Sequence, residues 1–181
     1  CLLILLCLSL FGPLSLCQGA EEAVMTVRGL VKHPQRLTFQ DLANYRSVSV
    51  RATEVGQDNN FHGVYRYRGV PLQTLLQAAG VEKEGGDFSK AIDLAVVVRN
   101  RSGRRAVLSW AEVAYGRPAD LIVAFSVESL LTKGQGTSQP VTCPKLVVGG
   151  DFYSDRSLEE IVAVEVFDPS RQATIVSLPL P

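Results

Sequence analysis

The sequence predicts an α+β fold made of several small mixed sheets and short helices. Residues 121–125 and 161–167 are apolar runs of strand length, and similar short runs recur along the chain. The helical patterns between these runs are short. No segment has the length of the crossover helices that join the strands of a doubly wound parallel sheet. These two observations favour an α+β domain over a doubly wound one.

The first elements are two strands and a capped helix. Residues 24–31 are β-branched and apolar, which predicts a strand, and residues 33–35 end it as a turn. Thr38 is placed to cap a short helix, with Asp41 three residues on, near the positive end of that helix. Residues 47–55 alternate apolar and polar side chains, so a strand with one buried face is expected there.

A strand and an amphipathic helix are predicted next. Residues 64–68 alternate arginine and tyrosine, which places the two residue types on opposite faces of a strand. Pro71 suits the first turn of the following helix, where a missing N–H costs nothing. Gly80 supplies the left-handed residue that ends helices. The apolar stripe of the helix comprises Leu72, Leu75, Leu76 and Ala79.

The second half of the chain contains a hairpin, a capped helix and further strands. Residues 92–98 and 106–108 predict two strands around a turn, and residues 109–112 form a capping box that opens a short helix. Residues 126–142 are rich in Ser, Thr, Gly and Gln and predict a long loop. Strands are expected at 121–125, 146–148 and 161–167, a second capping box at 157–160, and a loosely held tail after residue 169.

Composition excludes one class of function and suggests export. The chain has 18 Lys and Arg against 18 Asp and Glu, so no general attraction to nucleic acid is expected. Residues 1–20 carry no charge, and Gly-Pro interrupts their apolar run before a small-residue site, a pattern typical of a secretory signal peptide cleaved after Gly19 or Ala20. A short membrane anchor is the alternative. Cleavage leaves residues 21–181 as a single exported domain, periplasmic or extracellular, that makes no membrane contact.

Few residues in this domain suit nucleophilic or metal chemistry. Cys143 is the only cysteine after residue 20, so no internal disulfide is expected, and a small core residue is favoured over a reactive thiol. His33 and His62 are isolated in turn or loop contexts, which favours solvated side chains over metal ligands.

Arginines are the best candidates for binding an anion. Arg66 and Arg68 lie on the strand at 64–68, and guanidinium groups match phosphate and carboxylate geometry. They would form one basic surface with the hairpin arginines if the two segments pair; solvated strand edges are the alternative. Tyr65 and Tyr67 suit cross-strand packing or stacking on a planar ligand. The hairpin arginines are Arg99, Arg101, Arg104 and Arg105.

The order of these segments resembles the molybdopterin-binding domain of the sulfite oxidase family. The resemblance covers about residues 24–168, which we expect to be the core of the domain. The matching segments are LTFQDLANY, the strand at 47–55, YRYRGVPLQTLLQAAGV, AVVVRNRSGRRAVLSWAEV, LIVAF and PKLVVGGDFYSDRSLEEIVAVEV. The resemblance implies a fold of several small sheets and, in active members, a molybdenum held by molybdopterin and one protein cysteine.

The sequence departs from this family at the metal ligand. The cysteine normally follows the strand that corresponds to residues 47–55, and the matching positions, Ala52 to Glu54, contain none. Neither Thr nor Glu replaces the electronic role of a thiolate. The resemblance does not give that role to Cys143. It does match Lys145 to a basic residue that faces a pterin phosphate, and Gly69 to the turn before the helix.

Two functions of different classes follow. The first is an exported, non-catalytic binding module that binds an anionic small molecule or an exported partner protein at the former cofactor groove or at its arginines. The second is an oxidoreductase that retains molybdopterin without a cysteine ligand, with Arg66, Arg68, Gly69 and Lys145 as candidate cofactor-binding residues. An accessory subunit of another exported protein is a third possibility.

Overall fold

A computed structural model describes residues 22–56, 58–82, 93–131 and 138–172 of the chain. These residues form nine strands and four short α-helices. In chain order they are β1 (Met25–Gly29), β2 (Gln35–Leu37), α1 (Phe39–Asn44), β3 (Val48–Val55), β4 (Phe61–Pro71), α2 (Leu72–Ala79), β5 (Ala95–Asn100), β6 (Arg105–Ser109), α3 (Trp110–Tyr115), β7 (Leu121–Ser129), β8 (Gln139–Val148), β9 (Ile161–Phe167) and α4 (Pro169–Gln172).

The strands form two sheets, which confirms the predicted α+β class. The first sheet has five strands in the order β2-β1-β9-β5-β6, and only the β1–β9 pair is parallel. The second has four antiparallel strands in the order β3-β4-β7-β8. Both sheets are therefore small, and short helices alternate with their strands along the chain, as the sequence predicts.

Two apolar clusters lie on opposite faces of the four-stranded sheet. The larger cluster includes α2 and inward side chains of both sheets, such as Val123 and Leu146. The smaller one contains the neighbouring residues of the same strands, Ile122, Ala124 and Val147, together with Tyr67. Because side chains alternate along a strand, adjacent residues of β7 and β8 enter different clusters.

Local sequence signals for the helices are confirmed. Thr38 and Asp41 form a reciprocal capping box at α1, and Ser109 and Glu112 form another at α3. All four stripe residues of α2 are fully buried. Gly80 ends α2 with φ of +68°. Pro71 differs by one position, since it is the last residue of β4 and the N-cap of α2 rather than its first helical residue.

The predicted long loop at residues 126–142 is wrong. β7 continues to Ser129 and β8 begins at Gln139, so strands occupy most of the described residues of this range, and residues 132–137 lie outside the described part of the chain. The C-terminal part of β7 and the N-terminal part of β8 carry polar residues because both are partly exposed to solvent. Arg66 of β4, for example, lies opposite Glu128 of β7. Polar composition therefore misled the prediction.

Two shorter elements also differ from the prediction. β2 begins at Gln35, the last residue of the expected turn, and it pairs with β1. The capping box expected at residues 157–160 is absent, because the helical turn is a 3-10 turn at Ser154–Arg156 and Leu158 instead bridges to Leu146. The Ser157 hydroxyl accepts a hydrogen bond from the Val148 amide rather than capping a helix. Ile92 and the tail from residue 173 lie outside the described residues.

Among the helices of the described residues, none is long and apolar enough to cross a membrane.

Candidate functional site

A buried lysine forms the centre of the candidate site. Lys145 on β8 is only 8% exposed, and its Nζ is ion-paired with the Glu54 carboxylate. Nζ also donates to the Tyr67 hydroxyl at 3.0 Å and lies 3.4 Å from Oε1 of Glu159. The Tyr67 hydroxyl donates to Oε1 of Glu54 at 2.6 Å. The three side chains of Glu54, Tyr67 and Lys145 thus form a closed network, which we call the Lys145 network.

The network is assembled across the face of the four-stranded sheet. Glu54 is on β3 and Lys145 is on β8, which are the two outer strands of that sheet. Tyr67 on β4 lies between them, with its ring centroid 4.8 Å from Nζ. A long lysine side chain extending over an apolar surface makes this connection possible. The contact joins residues 91 positions apart in the sequence.

The network favours a charged lysine and a neutral tyrosine. Burial alone would lower the pKa of Lys145, but hydrogen bonds to Glu54 and Tyr67, together with the negative charge of Glu54, outweigh it and raise that pKa above its ordinary value. Burial is the main cause that raises the pKa of Tyr67, and the hydrogen bond to Glu54 adds to it. Lys145 is therefore a fixed cation whose charge is already compensated inside the protein.

A cavity of about 390 Å³ opens beside the Lys145 network. One wall is formed by β3 and β8, a second by the turn between β5 and β6, and a third by the segment between β8 and β9. The lining residues that matter for its charge are Glu54, Arg104, Lys145, Asp155, Glu159 and Glu160. Four carboxylates thus face two cations within the described lining. The cavity has an acidic balance.

Two of these carboxylates have no counter-ion in the described part of the chain. Asp155 and Glu160 make no side-chain hydrogen bond or ion pair there. Glu159 shares Lys145 with Glu54 and is 77% exposed at its side chain. An anionic ligand entering this cavity would therefore meet uncompensated negative charge.

The structure separates Arg66 and Arg68 from Lys145. Both arginines are exposed and alternate with Tyr65 and Tyr67 along β4, so they lie on the face opposite the Lys145 network. Arg66 donates to Glu128 at 2.8 Å, and Arg68 donates to the Ser47 hydroxyl at 2.9 Å. Their predicted cofactor role stays a prediction, and it would need a ligand on a different face from Lys145.

Gly69 has a structural reason to lack a side chain. It follows a register shift between β4 and β7, and a Cβ at this position would lie 2.2 Å from the carbonyl oxygen of Val123 and 2.6 Å from the Cα of Ala124. Real side chains do not tolerate such approaches to a backbone. Gly69 therefore allows β4 and β7 to pack closely before α2 begins.

The hairpin arginines do not join Arg66 and Arg68 in one basic surface. The hairpin is part of the five-stranded sheet, and β4 is part of the other. Arg99 lies 3.7 Å from Glu165, whereas Arg104 lines the cavity. The condition for a shared surface, pairing of the two segments, is not met.

Cysteine and histidine form no metal centre in the residues that the structure describes. No group of three or more His, Cys, Asp and Glu side chains is arranged there to hold an ion. Cys143 is half-buried near the start of the apolar part of β8 and lines a separate cavity.

Sequence comparison identifies the family of the chain. The family model described as the oxidoreductase molybdopterin binding domain matches residues 15–137, more than half of the 181 residues. The chain therefore belongs to this family, which confirms the resemblance to sulfite oxidase-type molybdopterin-binding domains. No curated protein matches the chain.

A solved structure supports the same fold. The sulfane dehydrogenase SoxCD from Paracoccus pantotrophus matches with a TM-score of 0.58 at 20% sequence identity. The match covers 80% of this chain but only 38% of the SoxCD chain. At this identity the likeness shows the fold alone.

The described residues do not fit the cofactor that the family implies. Of the three positions that the resemblance assigns to the cysteine ligand, only Glu54 lines the cavity, and its carboxylate is committed to Lys145. The resemblance implies a soft thiolate as the protein ligand of molybdenum, and a carboxylate is a hard ligand. Lys145, the residue expected to face the pterin phosphate, is neutralised by the same carboxylate.

Glu54 is the residue whose role the sequence analysis missed. It continues the half-buried face of β3 after Val48, Val50 and Ala52, where an apolar residue would be expected. The sequence does contain a signal for this pair. Glu54 lies on the inward face of one strand and Lys145 within the apolar run of another, and because buried charges are rare unless paired, the two could have been predicted to interact.

Proposed function

We propose that this protein is an exported, non-catalytic binding module that retains the molybdopterin-binding fold. One observation carries the proposal: Glu54, at a position that the resemblance gives to the metal-ligating cysteine, forms an internal ion pair with Lys145. An ion pair at this depth satisfies both charges without a ligand. The acidic balance of the cavity adds to this, because it disfavours a phosphate-bearing cofactor.

The competing function is an oxidoreductase that holds molybdopterin without a cysteine ligand. Its support is membership of the family, since the matched model is that of a molybdopterin-binding domain. It requires that Lys145 exchange Glu54 for the cofactor, so a largely buried carboxylate would lose its counter-ion on binding. Such an exchange costs several kcal/mol, on the order of that for an unpaired buried charge.

Metal and pterin content distinguish these functions. The full chain is produced in a host that synthesises molybdopterin, with an active member of the family as a positive control. We expect the folded wild-type protein to contain neither molybdenum by elemental mass spectrometry nor pterin by the fluorescence of its oxidation product. Near-stoichiometric metal and pterin, or pterin alone, would contradict the proposal and support the competing function.

A matched variant locates the cause of this result. Glu54→Cys supplies a thiolate at the lining position and releases Lys145 from its ion pair. We expect this variant to contain more cofactor than the wild-type protein. The control is Ala52→Cys, because Ala52 also belongs to the segment matched to the cysteine ligand but does not line the cavity, and this variant is expected to contain no cofactor.

Export is the part of the proposal that rests on residues 1–20, which combine an uncharged apolar run with a small-residue site. We expect N-terminal sequencing of the exported protein to begin at Ala20 or Glu21. An intact N-terminus in the membrane fraction would support the anchor instead.

The ligand of the module is an exported partner protein rather than an anionic small molecule. An anion has no uncompensated cation to meet at Lys145, and the cavity has more carboxylates than cations in its described lining. Arg66 and Arg68 would hold an anionic ligand only on the opposite face of the sheet.

A further inference from the structure

Two exposed aromatic residues are the chain neighbours of residues that line the acidic cavity. Phe152 is 74% exposed and packs edge-to-face on Tyr153, with ring centroids 4.9 Å apart. Phe152 and Tyr153, which we call the aromatic ledge, directly precede the cavity-lining residues Ser154 and Asp155 in the chain. Solvent-exposed aromatic rings close to a cavity are typical of a binding surface.

The aromatic ledge is fixed to the four-stranded sheet. The Tyr153 hydroxyl donates to Oδ1 of Asn59 at 3.0 Å, and the Ser154 hydroxyl donates to the carbonyl oxygen of Val55 at 2.9 Å. Phe61, which is 57% exposed, lies opposite Val55 in the β3–β4 pairing. The ledge is thus held in place, and the strand residue that accepts the Ser154 hydrogen bond pairs with a third exposed aromatic residue. A preformed surface loses less conformational entropy on binding.

The negative charges beside the ledge favour a positively charged partner. Asp155 and Glu160 face the cavity without a counter-ion among the described residues, and Glu159 competes with Glu54 for Lys145. Arg104 is the only cation of the described lining that the Lys145 network does not contain. Carboxylates beside exposed rings complement lysine and arginine, which bind both groups.

We propose that the aromatic ledge and the acidic cavity form the docking surface for a basic segment of a partner protein. Lysine or arginine side chains of that segment enter the cavity towards Asp155 and Glu160, and its apolar or aromatic side chains cover Phe152 and Tyr153. This inference rests on the proposed function, because the cavity must be free of molybdopterin for the segment to enter.

A defined peptide tests this surface. A fluorescein-labelled peptide of alternating lysine and tryptophan is titrated with the full-length protein and followed by fluorescence anisotropy. Its matched controls are a glutamate and tryptophan peptide and a lysine and glycine peptide. We expect the lysine and tryptophan peptide to bind at least about tenfold more tightly than either control, and its affinity to fall as salt rises.

Variants assign the binding to the surface. Phe152→Ala with Tyr153→Ala removes the ledge, and Asp155→Asn with Glu160→Gln removes the uncompensated charge. Each pair is expected to weaken peptide binding at least about tenfold. Tyr115→Ala and Val107→Ala, which remove exposed side chains elsewhere, should leave it unchanged. Circular dichroism confirms that each variant is folded.

Several outcomes would overturn the inference. Equal affinity for the acidic peptide, or binding that the ledge and charge variants do not change, would remove its basis. A dimer of the chain that the ledge variants abolish in analytical ultracentrifugation would assign the surface to self-association instead. Metal and pterin content are measured on the same sample. Cofactor in that sample would overturn the proposed function as well, whereas a cofactor-free protein that fails to bind the peptide would overturn only this inference.

Discussion

At the scale of single residues, the pairing of Lys145 with Glu54 decides how a buried charge is compensated. A lysine in an apolar strand needs a counter-charge, and Glu54 supplies it from the far edge of the sheet. The resemblance assigns Lys145 to a cofactor phosphate, and the structure gives it an internal partner. The charge of Lys145 is therefore compensated within the protein.

Replacing one partner of the Glu54–Lys145 ion pair should destabilise the protein more than replacing both partners with apolar residues. We expect Lys145→Met to lower the free energy of unfolding by about 3 kcal/mol, because it leaves the Glu54 carboxylate, whose side chain is only 17% exposed, without a cation. Glu54→Leu with Lys145→Met should recover most of this loss. Urea denaturation measures both. Lys32→Met is the control, since its ion pair with Glu82 is about half exposed and should contribute less than about 1 kcal/mol. Equal effects of Lys145→Met and Lys32→Met would contradict this role.

The Lys145 network also predicts a loss of stability at high pH. The fold raises the pKa of Tyr67 above its ordinary value of 10.0 and that of Lys145 above 10.5. A group whose pKa is raised by folding stabilises the protein at pH values below its pKa in the unfolded chain. This stabilisation is lost as pH rises through its pKa in the folded protein. Stability to urea should therefore fall above about pH 10, at which the unfolded chain begins to lose these protons.

Phenylalanine substitutions test this assignment. Tyr67→Phe removes one of the two titrating groups and should reduce the alkaline loss. Tyr65→Phe, whose hydroxyl bonds only the His62 carbonyl oxygen among the contacts described, should retain it. An alkaline loss that is identical in both variants would show that Tyr67 is not responsible.

At the scale of secondary structure, the junction of β4 and α2 depends on close backbone packing. Gly69 lies against Val123 and Ala124 of β7, immediately after a register shift, and Gly80 ends the helix that follows. This segment combines alternating strand residues with a helical stripe. The sequence predicts both elements because each is a local pattern.

A methyl group at Gly69 should disrupt this junction. Because its Cβ would lie 2.2 Å from a backbone oxygen, we expect Gly69→Ala to cost at least about 2 kcal/mol in unfolding free energy. Gly150→Ala is the matched control, since its Cβ would meet nothing within 4 Å and its φ is not positive. Thermal and urea unfolding of the two variants make the comparison. A Gly69→Ala protein as stable as Gly150→Ala would exclude the close approach.

At the scale of the whole molecule, Arg156 links the segment between β8 and β9 to α3. Its guanidinium forms a fork with Asp151 at 2.6 and 2.7 Å and also donates to Glu112 on α3 at 2.9 Å. The hydrogen bonds to Asp151 are the main cause that raises the pKa of Arg156. The segment that carries the aromatic ledge is thus attached to the helix that follows β6.

Replacing the forked contact should loosen this link. Lysine keeps the charge but cannot form the planar fork, so we expect Arg156→Lys to cost about 1 kcal/mol, a value already reduced for its 38% exposed side chain. Arg117→Lys, with a side chain 85% exposed and one pair to Asp120, should change stability by less than about 0.5 kcal/mol. Urea denaturation measures both. Hydrogen exchange of residues 151–156 should rise in the first variant alone.

Local patterns in the sequence determined most of the elements and the family. Reciprocal caps at Thr38 and Ser109, the α2 stripe and the alternation of β3 act between residues a few positions apart, and each is confirmed. The prediction failed at residues 126–142, because solvent-exposed strand ends are polar and their pairing depends on partners far along the chain.

The tertiary structure alone decided the character of the site. Glu54, Tyr67 and Lys145 come from three strands and meet only because the sheet brings its two outer strands within reach of one lysine side chain. The same alternation that exposes Arg66 and Arg68 places them on the other face. Sequence by itself determined which charges the chain carries and on which elements. Their pairing depends on distances through space, and these are set by sheet order and register.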